Sequence, residues 1–346
     1  MTDIRSKFLD VQPSLEDYWR GLILFGRNVA SYKFSLGKAL LDLRKAPDNN
    51  LVKLDELALP FARNICEHLR KAPKQATSQS SRFLEACRKH NSGEIGDDKL
   101  RDTTVDLGFN NVIDAFHRLG PEDIQTKFFI DERKTNNGIR LTDELRKLSD
   151  VAHPDNLPHE TEARWRLVET AWGLGVNPSL IEYAKEGDQL FVKEPSGRIV
   201  VTSARHALNG YQKGHCFYCF ASVSADDGNA EVDVDHFFPW SWSARNVLAS
   251  NVNINGIWTL VLFCVACNRG PGGKSDLVPS LKLVERLHRR NEFLIASHHP
   301  LKETLIWQTG LSEPERGDFL KENYKSARKS RIVIWDPSEQ RGEAVF

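Results

Sequence analysis

No apolar run in this 346-residue sequence approaches the length of a membrane span, and the charged first residues do not make a signal peptide. No internal repeat and no low-complexity tract is present, which sets aside solenoid arrays and low-complexity tails. Net charge is missing as well: 47 Lys and Arg balance 47 Asp and Glu, so no overall field draws the chain to nucleic acid. Affinity of that kind must come from a local patch. Nor do the six cysteines form a disulfide framework. Four fall into two C-x-x-C pairs, while Cys66 and Cys87 lie within helical patterns, a usage suited to a reducing cytoplasm. What is left is an ordinary globular composition, 40% hydrophobic and 27% charged, long enough for two domains and a buried core.

Apolar residues recur at helical spacing through the first half. Ser14-Leu15-Glu16-Asp17 after Pro13 has the makings of a helix start, with Ser14 as cap and acids in the first turn. Tyr18, Leu22, Phe25, Val29, Tyr32, Leu36 and Leu40 then predict one long buried helical face that ends at Pro47-Asp48. Leu57, Phe61, Ile65 and Leu69 predict a second helix, with Pro60 near its start or at a kink. These stripes are core packing rather than a ligand groove. Lys74 to Ser81 is a polar connection, and Arg82 to Leu148 stays helical, cut at Asn91-Ser92-Gly93, Gly108 and Asn136-Asn137-Gly138. His153 to His159, with two prolines, is a second connector whose histidines are solvated rather than metal-bound. Near Gln189 the period changes: Leu190-Phe191-Val192 and Ile199-Val200-Val201 flank Pro195-Ser196-Gly197, a hairpin, and Ser203 caps a short helix after it. The expected class is α+β, with a mostly helical N-terminal domain over 1–188 that serves targeting or partner binding. A domain bearing the cysteine pairs follows over 189–285, then a helical extension over 286–346 that packs back on it.

The chemistry concentrates between Gly214 and Lys274. Cys216 and Cys219 open this stretch and Cys264 and Cys267 close it at the same spacing, with Asp233-Val234-Asp235-His236 between them. Two such pairs hold one tetrahedral zinc in a closed four-thiolate site that leaves no open position for chemistry. Zinc is then scaffold, and the reactive groups are those it positions: Asp235, His236 and Asn268. The knuckles alone equally suit a catalytically silent zinc module that binds DNA or a protein partner.

Cys-x-x-Cys, then Asp235-His236 with Pro239 three residues on, then Cys264-x-x-Cys267-Asn268 and Lys274 resembles the HNH (ββα-metal) endonucleases with a zinc-bound treble clef. Asp-Val-Asp-His, Asn-Arg-Gly and Lys-Ser-Asp-Leu-Val-Pro-Ser also resemble the HNH insert of RNA-guided CRISPR effector nucleases. More weakly, Asp17-Tyr18-Trp19-Arg20-Gly21-Leu22 with Gly26-Arg27-Asn28, and the tail from Arg289 to Trp335, resemble the HNH nuclease component of type II Zorya anti-phage defence systems.

The resemblance implies a strand ending at Asp235-His236, a second strand at Thr259–Phe263 and a helix after Asn268. Asp235 and Asn268 would be oxygen ligands to magnesium or manganese, and His236 the general base that deprotonates the attacking water. Asp233 would assist the metal through other groups or face solvent. DNA is the implied partner, RNA remains open, and defence-system proteins are further candidates. One centre cuts one strand, leaving a 5′ phosphate and a 3′ hydroxyl. Arg245, Arg269 and Lys274 would flank the phosphate track, Arg269 as a fork and Lys274 as a point charge. Arg286, His288, Arg289 and Arg290, like Arg328, Lys329 and Arg331, suit a solvated face as well as a DNA face. One position departs from the pattern: Thr259 stands where the family carries its middle Asn, whose amide pins the loop holding the His. Either Thr259 makes a weaker pin or Asn255 supplies it.

Overall fold

The computed structural model describes residues 13–26, 29–45, 50–78, 80–120, 122–173, 181–194, 197–225, 232–244, 247–248, 252–297, 299–330 and 333–346. The chain divides into two compact units, Met1–Gly175 and Val176–Phe346. Both mix helices with small sheets. Among the described residues no helix is long and apolar enough to cross a membrane.

In the first unit, α1 (Leu15–Leu24) starts at a capping box: Asp17 N–H donates to Ser14 Oγ at 3.2 Å, and Ser14 N–H donates to the Asp17 carboxylate at 3.1 Å. The single long helix expected through Leu40 is instead two, α1 and α2 (Tyr32–Leu43). Competing backbone pairing breaks it. Ser31 N–H donates to Gln75 O at 3.0 Å and Thr77 N–H to Val29 O at 2.8 Å, so residues 29–31 bridge to 75–77. Val29, placed on the buried face by its spacing, is 56% exposed. The chain then forms β1 (Leu51–Lys53), α3 (Leu54–Lys71, with Pro60 inside it) and α4 (Arg82–Asn91).

The region to Leu148 is not helical throughout. It contains β2 (Phe129–Glu132) and β3 (Gly138–Leu141), which join β1 in an antiparallel sheet of order β1-β3-β2. The Asn136-Asn137-Gly138 break is the turn of that sheet. Asn137 is left-handed at φ 49°, and Gly138 lies so near β1 that a Cβ would come within 2.4 Å of Val52 O. The stretch 153–159, expected as connector, already holds the start of α5 (Asn156–Gly173). Trp19, Leu22, Phe34, Phe61 and Trp165 form the buried centre of this unit.

The second unit begins ahead of the 188/189 boundary because β4 (Ile181–Ala184) pairs with β5 (Gln189–Glu194), which pairs in turn with β6 (Gly197–Ser203). Helix α6 (Ala204–Gln212) leads to the first cysteine pair. Strands β7 (Val232–His236) and β8 (Leu260–Cys264) are antiparallel, and α7 (Val265–Arg269) follows directly. Next come β9 (Val278–Pro279), α8 (Leu281–Ala296), α9 (Lys302–Thr309), α10 (Glu313–Ser330) and β10 (Ile334–Trp335), which runs parallel to β9. Because α8 already begins at Leu281 and β10 returns to β9, the residues after 285 complete this unit instead of extending it.

Candidate functional site

The first cysteine pair sits on a tight hairpin. Lys213 and Gly214, at φ 55° and 72°, turn the chain off α6. His215 pairs with Ser222, Cys216 N–H donates to Ala221 O at 2.9 Å, and Phe220 N–H donates to Cys216 O at 3.1 Å. The second pair comes from the end of β8 and from α7. All four thiols are buried, none is in a disulfide, and their sulfurs lie within 4.8 Å of one another. A tetrahedral ion with Zn–S bonds of about 2.3 Å sets its sulfurs roughly 3.8 Å apart. Cys219 Sγ and Cys264 Sγ are 3.7 Å apart. The donors therefore fit one metal ion such as zinc.

Neighbours enclose the cluster. Arg286 of α8 donates to the carbonyls of Phe217 and Tyr218 and places its guanidinium 4.1 Å from the Phe220 ring centre. Arg341 N–H donates to Cys219 O at 2.8 Å, and the Phe346 ring packs against Tyr211, Phe217 and Phe220.

Strand alternation sorts the reactive candidates. In β7, Val232, Val234 and His236 point inward, while Asp233 and Asp235 share the other, half-buried face. Register pairs Asp235 with Val261 and His236 with Leu260. Asn268 Nδ2 donates to Asp233 Oδ2 at 2.7 Å, leaving its Oδ1 for another partner. The structure thus brings Asn268 to Asp233, the acid whose role the sequence left open. Asp235 Oδ1 accepts the His236 backbone N–H at 2.7 Å and lies 3.4 Å from His236 Nδ1. Burial works to raise the Asp235 carboxyl, but the bond from His236 and the charge of Lys274 outweigh it, holding it below the ordinary carboxylate range. His236 is 3% exposed, and among the described residues its buried Nε2 meets no hydrogen-bond partner.

Thr259 does hold the loop after His236. Phe237 N–H donates to its carbonyl at 2.6 Å and Phe238 N–H to its hydroxyl at 3.2 Å. Asn255 is engaged through its backbone, which pairs with Asn253 and Tyr183.

The described basic residues differ in exposure. Lys274 is 1% exposed and points inward, donating to the carbonyls of His236 at 3.2 Å and Ser275 at 3.5 Å. Burial pulls its ammonium down to about 8, against the opposing charges of Asp235 and Asp276. It faces the backbone of the site, not an open phosphate path. Arg290 is buried too, donating to Leu260 O, Trp258 O and Ile257 O. Arg290 is therefore an internal brace, and the half-buried Arg286 braces the first cysteine hairpin through backbone carbonyls. Arg269 is open, 63% exposed with its guanidinium 3.6 Å from Asp233. Arg289 and Lys329 are exposed, while His288 and Arg328 are half-buried. Arg245 and Arg331 lie outside the described residues.

Two contributors escaped sequence reasoning. Gln212 of α6 donates to Leu262 O at 2.6 Å and accepts from Leu262 N–H at 2.9 Å, standing in for a strand beside β8. Tyr183 of β4 sets its ring edge-to-face with His236, centres 5.8 Å apart. Neither belongs to a spaced motif, and both act across long stretches of chain.

Among the described residues, the four cysteines are the one group of three or more His, Cys, Asp or Glu side chains close enough to hold an ion. Comparison with family models, with curated proteins and with solved structures found no match.

Proposed function

We propose that this chain is a metal-dependent endonuclease of the HNH type that hydrolyses phosphodiester bonds and nicks double-stranded DNA. The observation that carries this reading is the β7-β8-α7 unit. In it Asp235 lies 3.4 Å from His236 Nδ1, Asn268 donates to Asp233 on the same strand, and β8 and α7 carry Cys264 and Cys267 of the four-thiol cluster. The donor chemistry fits a hard cation: two half-exposed carboxylates and an amide carbonyl are oxygen donors, few enough to leave room for water. Held by Asp235 and Asn268, magnesium or manganese would supply charge to the scissile phosphate and the departing 3′ oxygen.

The chain's own residues do the rest. His236 accepts a proton from the attacking water, and the imidazolium that results donates from Nδ1 to Asp235 Oδ1, 3.4 Å away. Asp233 holds the Asn268 amide so that Oδ1 faces away from it. Arg269, open to solvent next to Asp233, forks onto a phosphate. Products carry a 5′ phosphate and a 3′ hydroxyl.

The burial of His236 favours a second reading, a silent zinc module that binds DNA or protein. Incubation with supercoiled plasmid and magnesium separates the two. Nicked circles are expected from wild type and not from folded His236→Ala. Equal nicking by both would remove His236 as base, and no nicking by wild type would favour the silent module. Parallel arms with single-stranded DNA and RNA decide the nucleic acid.

A further inference from the structure

We infer that Tyr183, outside every motif of the proposed site, is the positioning residue that fixes the imidazole plane of His236. A general base is ordinarily oriented by a hydrogen bond to its remote nitrogen. Here that nitrogen, Nε2, is buried and, among the described residues, has no partner. The ring is held on one side by Asp235 at Nδ1 and on the other by an aromatic wall, the Tyr183 ring at 5.8 Å and 66°. That wall is itself fixed. Tyr183 is 5% exposed, its hydroxyl donates to Asp188 Oδ1 at 3.2 Å, and it lies 3.4 Å from Val234 O on the strand that carries the base. Its backbone N–H donates to Asn255 O at 3.1 Å, and Glu182 bridges to Gly256. The sheet of β4, β5 and β6 is thus clamped both to β7 and to the loop that leads into β8. Without the ring, the imidazole would lose its aromatic neighbour and could rotate about its side-chain bonds into the space left behind.

The kinetic consequence rests on the nuclease reading; the geometric one does not. Three variants separate the wall from the hydroxyl: Tyr183→Phe keeps the ring, Tyr183→Leu keeps apolar volume without a flat face, and Tyr183→Ala removes both. The first measurement is a carbon and nitrogen NMR correlation of the imidazoles in zinc-loaded protein, with the His236 signal assigned by its absence in His236→Ala. Wild type and Tyr183→Phe should give one narrow His236 signal, whereas Leu and Ala should give a broadened or doubled one. The second is nicking kinetics. kcat should fall about a hundredfold in Leu and Ala, the scale of a roughly 1 Å misplacement, with KM unchanged and with Phe restoring the wild-type rate. Folded Leu and Ala variants with a wild-type His236 signal and rate would overturn the inference. If wild type fails to nick, the nuclease reading falls, and the NMR arm alone decides the role of Tyr183.

Discussion

Two single residues set the local limits of the site. Thr259 is fully buried, and its hydroxyl accepts from Phe238 N–H just past His236. Thr259→Val removes that acceptor while keeping the shape. Single-turnover nicking in magnesium should fall roughly tenfold, the cost of about one hydrogen bond, whereas Thr259→Asn should keep the wild-type rate. An unchanged rate in Val would show that the hydroxyl pins nothing. Lys274 gives a pH signature. Its folded value of about 8 lies below the ordinary 10.5, so the unfolded chain binds this proton more tightly. Below pH 8 it is charged in both states and its burial weighs against folding; between pH 8 and 10.5 the folded state has released the proton and that penalty fades. The denaturation free energy of Lys274→Met relative to wild type should therefore drop by roughly 3 kcal/mol from pH 7 to pH 10.5. Parallel pH profiles for the two proteins would refute the assignment.

Among the elements, those fixed by neighbours in sequence were legible. Ser14 with Asp17 spelled the start of α1, and alternation around residues 189 to 203 spelled a hairpin. The four cysteines, too, were read from spacing as one cluster. What could not be read depends on distant partners. The three residues of β1 make a sheet only because β3 arrives from far along the chain, and α1 ends early because residues 29 to 31 pair with 75 to 77. Lys274 and Arg290 looked like surface cations because a sequence gives charge but not burial. Tyr183 was invisible because its meaning lies in a ring 5.8 Å away, on another strand. The cysteine pairs carry their own test. Cys216→Ser leaves a three-thiol site, and because metal binding and folding share one free energy, soluble yield and melting temperature should fall together with zinc content. Normally melting, zinc-loaded mutant protein would contradict this.

At the scale of the whole molecule, the cysteine cluster belongs to one unit alone. A zinc chelator should raise amide hydrogen exchange across residues 176–346 and leave 1–175 near its starting protection. A uniform rise along the chain would mean that the units unfold together. Gln212 gives that experiment a further consequence. The strand it covers, Leu260-Val261-Leu262-Phe263-Cys264, is uncharged, proline-free and wholly buried, and its far side is paired with β7. The side chain of Gln212 and the N–H of Phe217, which donates to Leu262 O at 3.0 Å, occupy its other edge. Gln212 precedes the first cysteine pair and Phe217 lies within it, so loss of the metal would uncover a sticky ribbon edge, the kind that recruits identical edges from other molecules. Metal-depleted protein should then be lost to turbidity and precipitate before it is lost to unfolding, and its shelf life will depend on its own concentration.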